Sequence, residues 1–372
     1  MVEALNHTLK AYVTLPESRH AAPLFVFAPG SLGRNPASYQ WMTDALRDRS
    51  VAVAHVEMKD GIRVVQLAQA LVTTSRESSS SVLRGRLSGA FFLGAHSGSA
   101  RATMHEAATW ARAHSVDGAG SDGAFLIGLL LFAPEVELVP APVMELIDVP
   151  VLNIVGSQDC IHPASLQQAQ LARMTNAAQT ALVVVDGATH AAWARDATWF
   201  ERLVKLPGSH PDWCDGTLPR AAQTNAAFRV IAPFVDFLQT VESAVAVGEG
   251  RDKARASAWV DFEGVLARGR SDGRWWYATR PGPLEDEMLR ESSVRVRACC
   301  CAKEEALLYP DVCWPDEDFI KQWTGPILDR NPRDTMKIMC WAEYYNNWHH
   351  PQGITCAPGE GAYIGPQNYS VW

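Results

Sequence analysis

Ser97 is the first residue placed to do covalent chemistry. An apolar stretch, Phe91–Gly94, runs into Ala95, His96, Ser97, Gly98 and Ser99, and a helix-compatible segment follows. A serine with small residues two before and two after it, at a strand-to-helix turn, can lift its hydroxyl out of a sheet edge. The same turn points a helix N-terminus at a reacting carbonyl. Ala95 and Ser99 occupy the glycine places of the G-x-S-x-G pattern, and both are small enough to keep the turn. A plain strand-loop-helix with a capping serine would give the same string, so the turn needs partners.

Two partners follow in order. Val151–Val155 reads as a strand, and the loop after it carries Asp159. Ala181–Val185 reads as the next strand, and the loop after it carries His190. All three groups therefore fall just past the C-terminal ends of parallel strands, where sites gather in open α/β sheets. His190 would accept the Ser97 proton and return it to a leaving group, since an ordinary imidazole titrates near neutrality. Asp159 would orient the imidazole and stabilise its charged form.

Asp186 lies four residues before His190, and Asp148 precedes its strand, so both are poorer choices for the acid. His162 reads as a loop residue ahead of Pro163. His96 flanks the nucleophile and by strand alternation should turn away from the oxyanion side, towards packing or hydrogen bonding. An oxyanion would be held by two backbone N–H groups, that of Gly98 and that of Ser31, which follows Pro29 and Gly30 in a loop after an apolar strand.

Positioning these groups requires an alternation of strands and helices from residue 9 to about 245. Strands are expected at Leu9–Leu15, Pro23–Ala28, Val51–Val56, Ala90–Ala95, Phe125–Phe132, Val151–Val155 and Ala181–Val185. Several are continuous apolar runs, as in sheets covered on both faces. Helices are expected at Ser38–Arg49, Ile62–Leu83, Ala100–Ala113, Ala164–Met174 and Ala221–Val245, the last with an apolar stripe at Phe228, Ile231, Phe234, Val235 and Leu238. The implied class is α/β with a mostly parallel central sheet.

With these motifs in hand, the chain resembles the α/β-hydrolase superfamily, in the branch of dienelactone hydrolases, chlorophyllases and cutinase-like polyester hydrolases. The matching stretches are Phe27–Gly30 with Trp41 downstream, Ala95–Ser99, Pro150–Asp159 and Val185–His190. The resemblance implies an α/β-hydrolase fold over about two thirds of the chain and a Ser-His-Asp esterase. Polyester hydrolases usually carry an aromatic residue after the Pro-Gly pair, where this chain has Ser31, which cannot stack on an acyl group. Leu32, Trp41, His96 and Trp193 are the residues expected to wall a substrate pocket. Only a short connection, Ala133–Pro150, is expected where lidded hydrolases insert a cap.

Three domain segments are expected: a catalytic unit over 1–247, a polar linker over 248–257 and an irregular module over 258–372. Eight of the 13 Trp lie in that last module, as do Cys299, Cys300, Cys301, Cys313, Cys340 and Cys356. These cysteines lack the paired C-x₂-C spacing of zinc knuckles, so buried free thiols are the default and no metal or cofactor is expected. The module could serve an unknown partner.

The 372 residues are 47% hydrophobic and 20% charged, with a formal charge of −8. That balance, without a long basic run, disfavours nucleic acid. No stretch approaches the ~18 apolar residues of a membrane span. The first residues show no basic-then-apolar signal, so a cytoplasmic location is expected, with secretion or import left open. The expected activity is hydrolysis of a small-molecule or lipid-like carboxylic ester through an acyl-enzyme. The alternatives are acyl transfer on the same triad, or a non-catalytic scaffold whose C-terminal module binds a partner.

Overall fold

The computed structural model describes residues 2–4, 7–9, 11–30, 36–56, 63–114, 123–136, 139–159, 162, 164–171, 173–177, 179–194, 217–246, 251–271 and 275–279. Its strands are β1 (Val2–Ala4), β2 (His7–Leu9), β3 (Ala11–Thr14), β4 (Ala22–Ala28), β5 (Ala52–Val56), β6 (Leu87–His96), β7 (Phe125–Phe132), β8 (Val151–Gly156), β9 (Thr180–Val185) and β10 (Trp275–Thr279). The helices are α1 (Gln40–Arg47), α2 (Val64–Glu77), α3 (Ser99–His114), α4 (Ala141–Glu145), α5 (Ala164–Leu171), α6 (Arg220–Ala246) and α7 (Arg251–Ser271).

Every residue of β4, β5, β8 and β9 is buried. Strands buried on both faces have no polar side to display, which is why their sequences are largely apolar, with His55 and Asn153 as buried polar exceptions. They sit inside an eight-stranded sheet of order β3-β5-β4-β6-β7-β8-β9-β10. β5, β4, β6, β7, β8 and β9 run parallel, while the edge strands β3 and β10 run antiparallel to β5 and β9. The strand expected over Leu9–Leu15 is divided. Its first part pairs with β1 in a separate ribbon, and its second part joins the main sheet.

The region after residue 247 departs from expectation. Arg251–Ser257, read as linker because it is polar, forms the first turns of α7. That helix buries Trp259, Phe262 and Leu266, spaced by three and four residues along one face. Phe262 meets Phe234 of α6 at a ring separation of 5.5 Å, and Trp259 meets Phe237 at 5.2 Å. Beyond α7, β10 extends the main sheet alongside β9. The core therefore continues to Leu266 and the sheet to Thr279 instead of ending near 247. The cysteines from Cys299 onward lie outside the described residues. Among the described residues, no helix is long and apolar enough to cross a membrane.

Candidate active site

From β4 the chain moves to β5 on one side, whereas from β6, the other neighbour of β4, it moves on to β7 in the opposite direction. The crevice at such a switch point opens at the C-terminal strand ends. Ala28 of β4 is in register with Ala95 of β6, which brings Pro29 and Gly30 beside His96 and Ser97.

Ser97 turns the chain from β6 into α3 with φ at +57°, a left-handed conformation that a side-chain-bearing residue rarely adopts. Backbone bonds fix the turn. The Ser97 N–H donates to the Phe132 carbonyl, and the Ser97 carbonyl accepts from the N–H groups of Ala100 and Glu135. Gly98 follows, so its N–H lies at the N-terminal end of α3, where the helix dipole favours negative charge.

Ser97 Oγ lies 2.9 Å from His190 Nε2, and His190 Nδ1 lies 2.9 Å from Asp159 Oδ2. Asp159 and His190 are buried, whereas Ser97 is partly exposed. The other Asp159 oxygen, Oδ1, accepts the His162 backbone N–H at 2.8 Å. His162 is therefore part of the site rather than a bystander in its loop. Its ring packs 5.1 Å from that of His190, and the His96 ring lies 5.0 Å from His190. His190 thus has two further imidazoles packed against it.

Short-range packing brings the two loops together. At Gly156 a Cβ would collide with the Ala188 carbonyl, so only glycine lets the loop bearing Asp159 lie against the loop bearing His190. Backbone bonds from Ser157 N–H to the Val185 carbonyl and from Gln158 N–H to the Ala188 carbonyl tie them further. Gln223 of α6 completes the support. Its side-chain oxygen accepts the Thr189 N–H at 3.0 Å and its amide donates to the Thr189 carbonyl at 2.9 Å. One buried amide thus satisfies both backbone groups of the residue before His190. Sequence reading misses Gln223, because a glutamine acting on distant backbone leaves no spacing signal.

The loop after β4 is tied to the turn. The Ser99 hydroxyl donates to the Pro29 carbonyl, which gives that residue a task a glycine could not perform. Ser31 and Leu32 lie outside the described residues. Trp41 is half-buried, its indole N–H donating to the Trp193 carbonyl at 3.0 Å.

Two expected pocket residues require correction. Trp193 is 0% exposed and packs against Phe132, and His96 is 3% exposed with both ring nitrogens engaged. Neither presents a surface to a ligand. Asp186 instead accepts the Ser157 hydroxyl. Among the described residues of the connection Ala133–Pro150, the five-residue α4 is the only helix. Among the described residues, no group of three or more His, Cys, Asp or Glu is arranged to hold a metal ion.

The strand order, the antiparallel edge strand beside β5, the turn after β6 and the successive loops after β8 and β9 define an α/β-hydrolase fold. Solved structures similar to the chain include Est1E from Butyrivibrio proteoclasticus, at 15% identity over 51% of this chain and 88% of that one, with a TM-score of 0.38. Dienelactone hydrolase from Anabaena variabilis ATCC 29413 is similar at 16% identity over 57% of this chain and 93% of that one, with a TM-score of 0.39. No family model and no curated protein matches the sequence.

Proposed function

We propose that the chain is a serine hydrolase that cleaves carboxylic esters of small-molecule or lipid-like type. The observation that carries this reading is the pair of consecutive 2.9 Å hydrogen bonds from Ser97 through His190 to Asp159, with Ser97 held in a left-handed turn. Ser97 Oγ attacks the ester carbonyl carbon while its proton passes to His190 Nε2. Asp159 stabilises the imidazolium that results. The charge arriving on the carbonyl oxygen is met by the Gly98 N–H, with Ser31 N–H as the proposed second donor. Collapse of the tetrahedral adduct breaks the bond to the alcohol, which leaves with the proton from His190. Water then attacks the acyl-enzyme with the same base, releasing the acid and restoring Ser97.

Each step uses only this chain's own groups and water. The hydrogen-bonded line by itself suits any acyl transfer. Water as acceptor and an ester as donor are the reading the resemblance adds.

A fluorophosphonate probe tests the assignment, since it phosphonylates only an activated serine. The wild-type chain is expected to label stoichiometrically and to hydrolyse p-nitrophenyl butyrate, and Ser97→Ala to do neither. Full labelling of Ser97→Ala would place the nucleophile elsewhere.

A further inference from the structure

His96 sits beside the nucleophile, yet no step above uses it. Its ring is buried with two specific partners. Nδ1 lies 2.7 Å from the Tyr39 hydroxyl, and Nε2 lies 3.2 Å from the His190 backbone carbonyl. The Tyr39 oxygen also accepts the Gly30 N–H at 3.1 Å. Tyr39 is itself buried, with its ring against Phe27.

The direction of every proton in this line is determined. The Gly30 N–H can only donate, so the Tyr39 oxygen accepts there, and a neutral His96 protonated on Nε2 leaves Nδ1 to accept the Tyr39 proton. The His190 carbonyl can only accept, so His96 carries its proton on Nε2. Burial supports the neutral forms at both places, pushing the Tyr39 hydroxyl up and the His96 imidazole well below its usual range. The contact is close enough to constrain the backbone as well, since a Cβ on Gly30 would meet His96 Nδ1 at 2.7 Å.

We propose that Tyr39 and His96 are positioning residues that hold the oxyanion loop and the His190 loop at a fixed separation across the nucleophile strand. This inference rests on the serine-hydrolase reading. One end of the line is Gly30, next to the proposed donor Ser31; the other is the main chain of the proposed base. The donor must meet the oxyanion and the base the attacking or leaving oxygen of one tetrahedral adduct, so their spacing matters most when charge develops. Ser99 reinforces the same end by holding the Pro29 carbonyl. The line moves no proton in the reaction. It supplies geometry.

The test is steady-state hydrolysis of p-nitrophenyl butyrate by wild type, Tyr39→Phe and His96→Asn, with active sites counted by fluorophosphonate endpoint labelling. Asn at position 96 can still accept from Tyr39 but is too short to reach the His190 carbonyl. Per active site, each variant is expected to lose about 10- to 100-fold in kcat, the scale of a small misplacement of reacting groups. KM should stay within about twofold, because ground-state binding does not use the line. A purely structural role would lower the melting temperature and leave kcat per active site unchanged, and that result overturns the proposal. An inert wild-type chain overturns the hydrolase reading and this inference together. Imidazole ¹⁵N spectra of the wild-type chain need no variant to fold. They should show His96 as a neutral Nε2–H tautomer, and a proton found on Nδ1 would also overturn the proposal.

Discussion

Ser97 keeps a backbone conformation that costs a side-chain-bearing residue about 1–2 kcal/mol relative to a right-handed one. That cost serves only to expose the hydroxyl at the turn, so removing the side chain should release it. Ser97→Gly is expected to raise stability by about 0.5–1 kcal/mol once the greater freedom of glycine in the unfolded chain is offset. Urea unfolding measures this, and unchanged or lower stability would show that the turn is not strained. Asp159 allows a sharper test. Its Oδ1 accepts the His162 N–H, so in Asp159→Asn the amide oxygen must stay there and the NH₂ must face His190. The imidazole then accepts at Nδ1 and carries its proton on Nε2, pointing at Ser97, and cannot act as base. The expected loss in kcat is about 10⁴-fold with little change in KM, the scale known for the wrong tautomer in a triad of this kind. A loss below tenfold would assign the orienting role elsewhere.

At the scale of elements, two supports carry consequences for stability. Replacing Gln223 by Leu leaves the Thr189 N–H and carbonyl buried without their partner. The expected cost is about 2–5 kcal/mol in denaturant unfolding, and fluorophosphonate labelling of the folded fraction should slow. Glu106 of α3 accepts the Val65 N–H at the start of α2, and burial lifts its carboxyl to about 7. From about pH 4.5 to 7 the folded chain holds a proton that the unfolded chain has lost. This group therefore makes stability fall as pH rises through that window. Glu106→Gln should remove that component, flattening the difference between unfolding measured at pH 5 and at pH 8; an unaltered slope would assign it to other groups. The legibility of these elements followed their burial. β4, β7, β8 and β9 are legible because strands covered on both faces become largely apolar runs, and Ser97, Asp159 and His190 stand out as candidates because each falls just beyond such a run. Gln223 and Tyr39 do not, since each acts on backbone or a ring brought near only by folding. The start of α7 is hidden because its first turns are polar, and the first buried residue described there is Ala254.

For the whole molecule, the question is where the folding unit ends. Trp259, Phe262 and Leu266 are buried in the same core as Phe234 and Phe237 of α6, and β10 pairs with β9 from Ala181 to Val185. β9 leads directly into the loop that carries His190, so the strand beside it bears on the site as well as on the core. A chain ending at residue 247 would expose the aromatic face of α6 and leave β9 as an unpaired sheet edge, a surface prone to association. It is expected to be insoluble or aggregated and to label poorly with fluorophosphonate. A chain ending at residue 280 keeps α7 and β10 and should label at the full-length rate. Within the intact chain, Phe262→Ala removes a ring packed against Phe234, Phe237 and Trp259, at an expected cost of about 3–5 kcal/mol. Solubility, melting temperature and labelling rate of the two truncations decide the matter together. If the shorter chain were as stable and as reactive as the longer, α7 and β10 would be an appendage laid on a complete hydrolase, and the boundary near 247 expected from composition would stand.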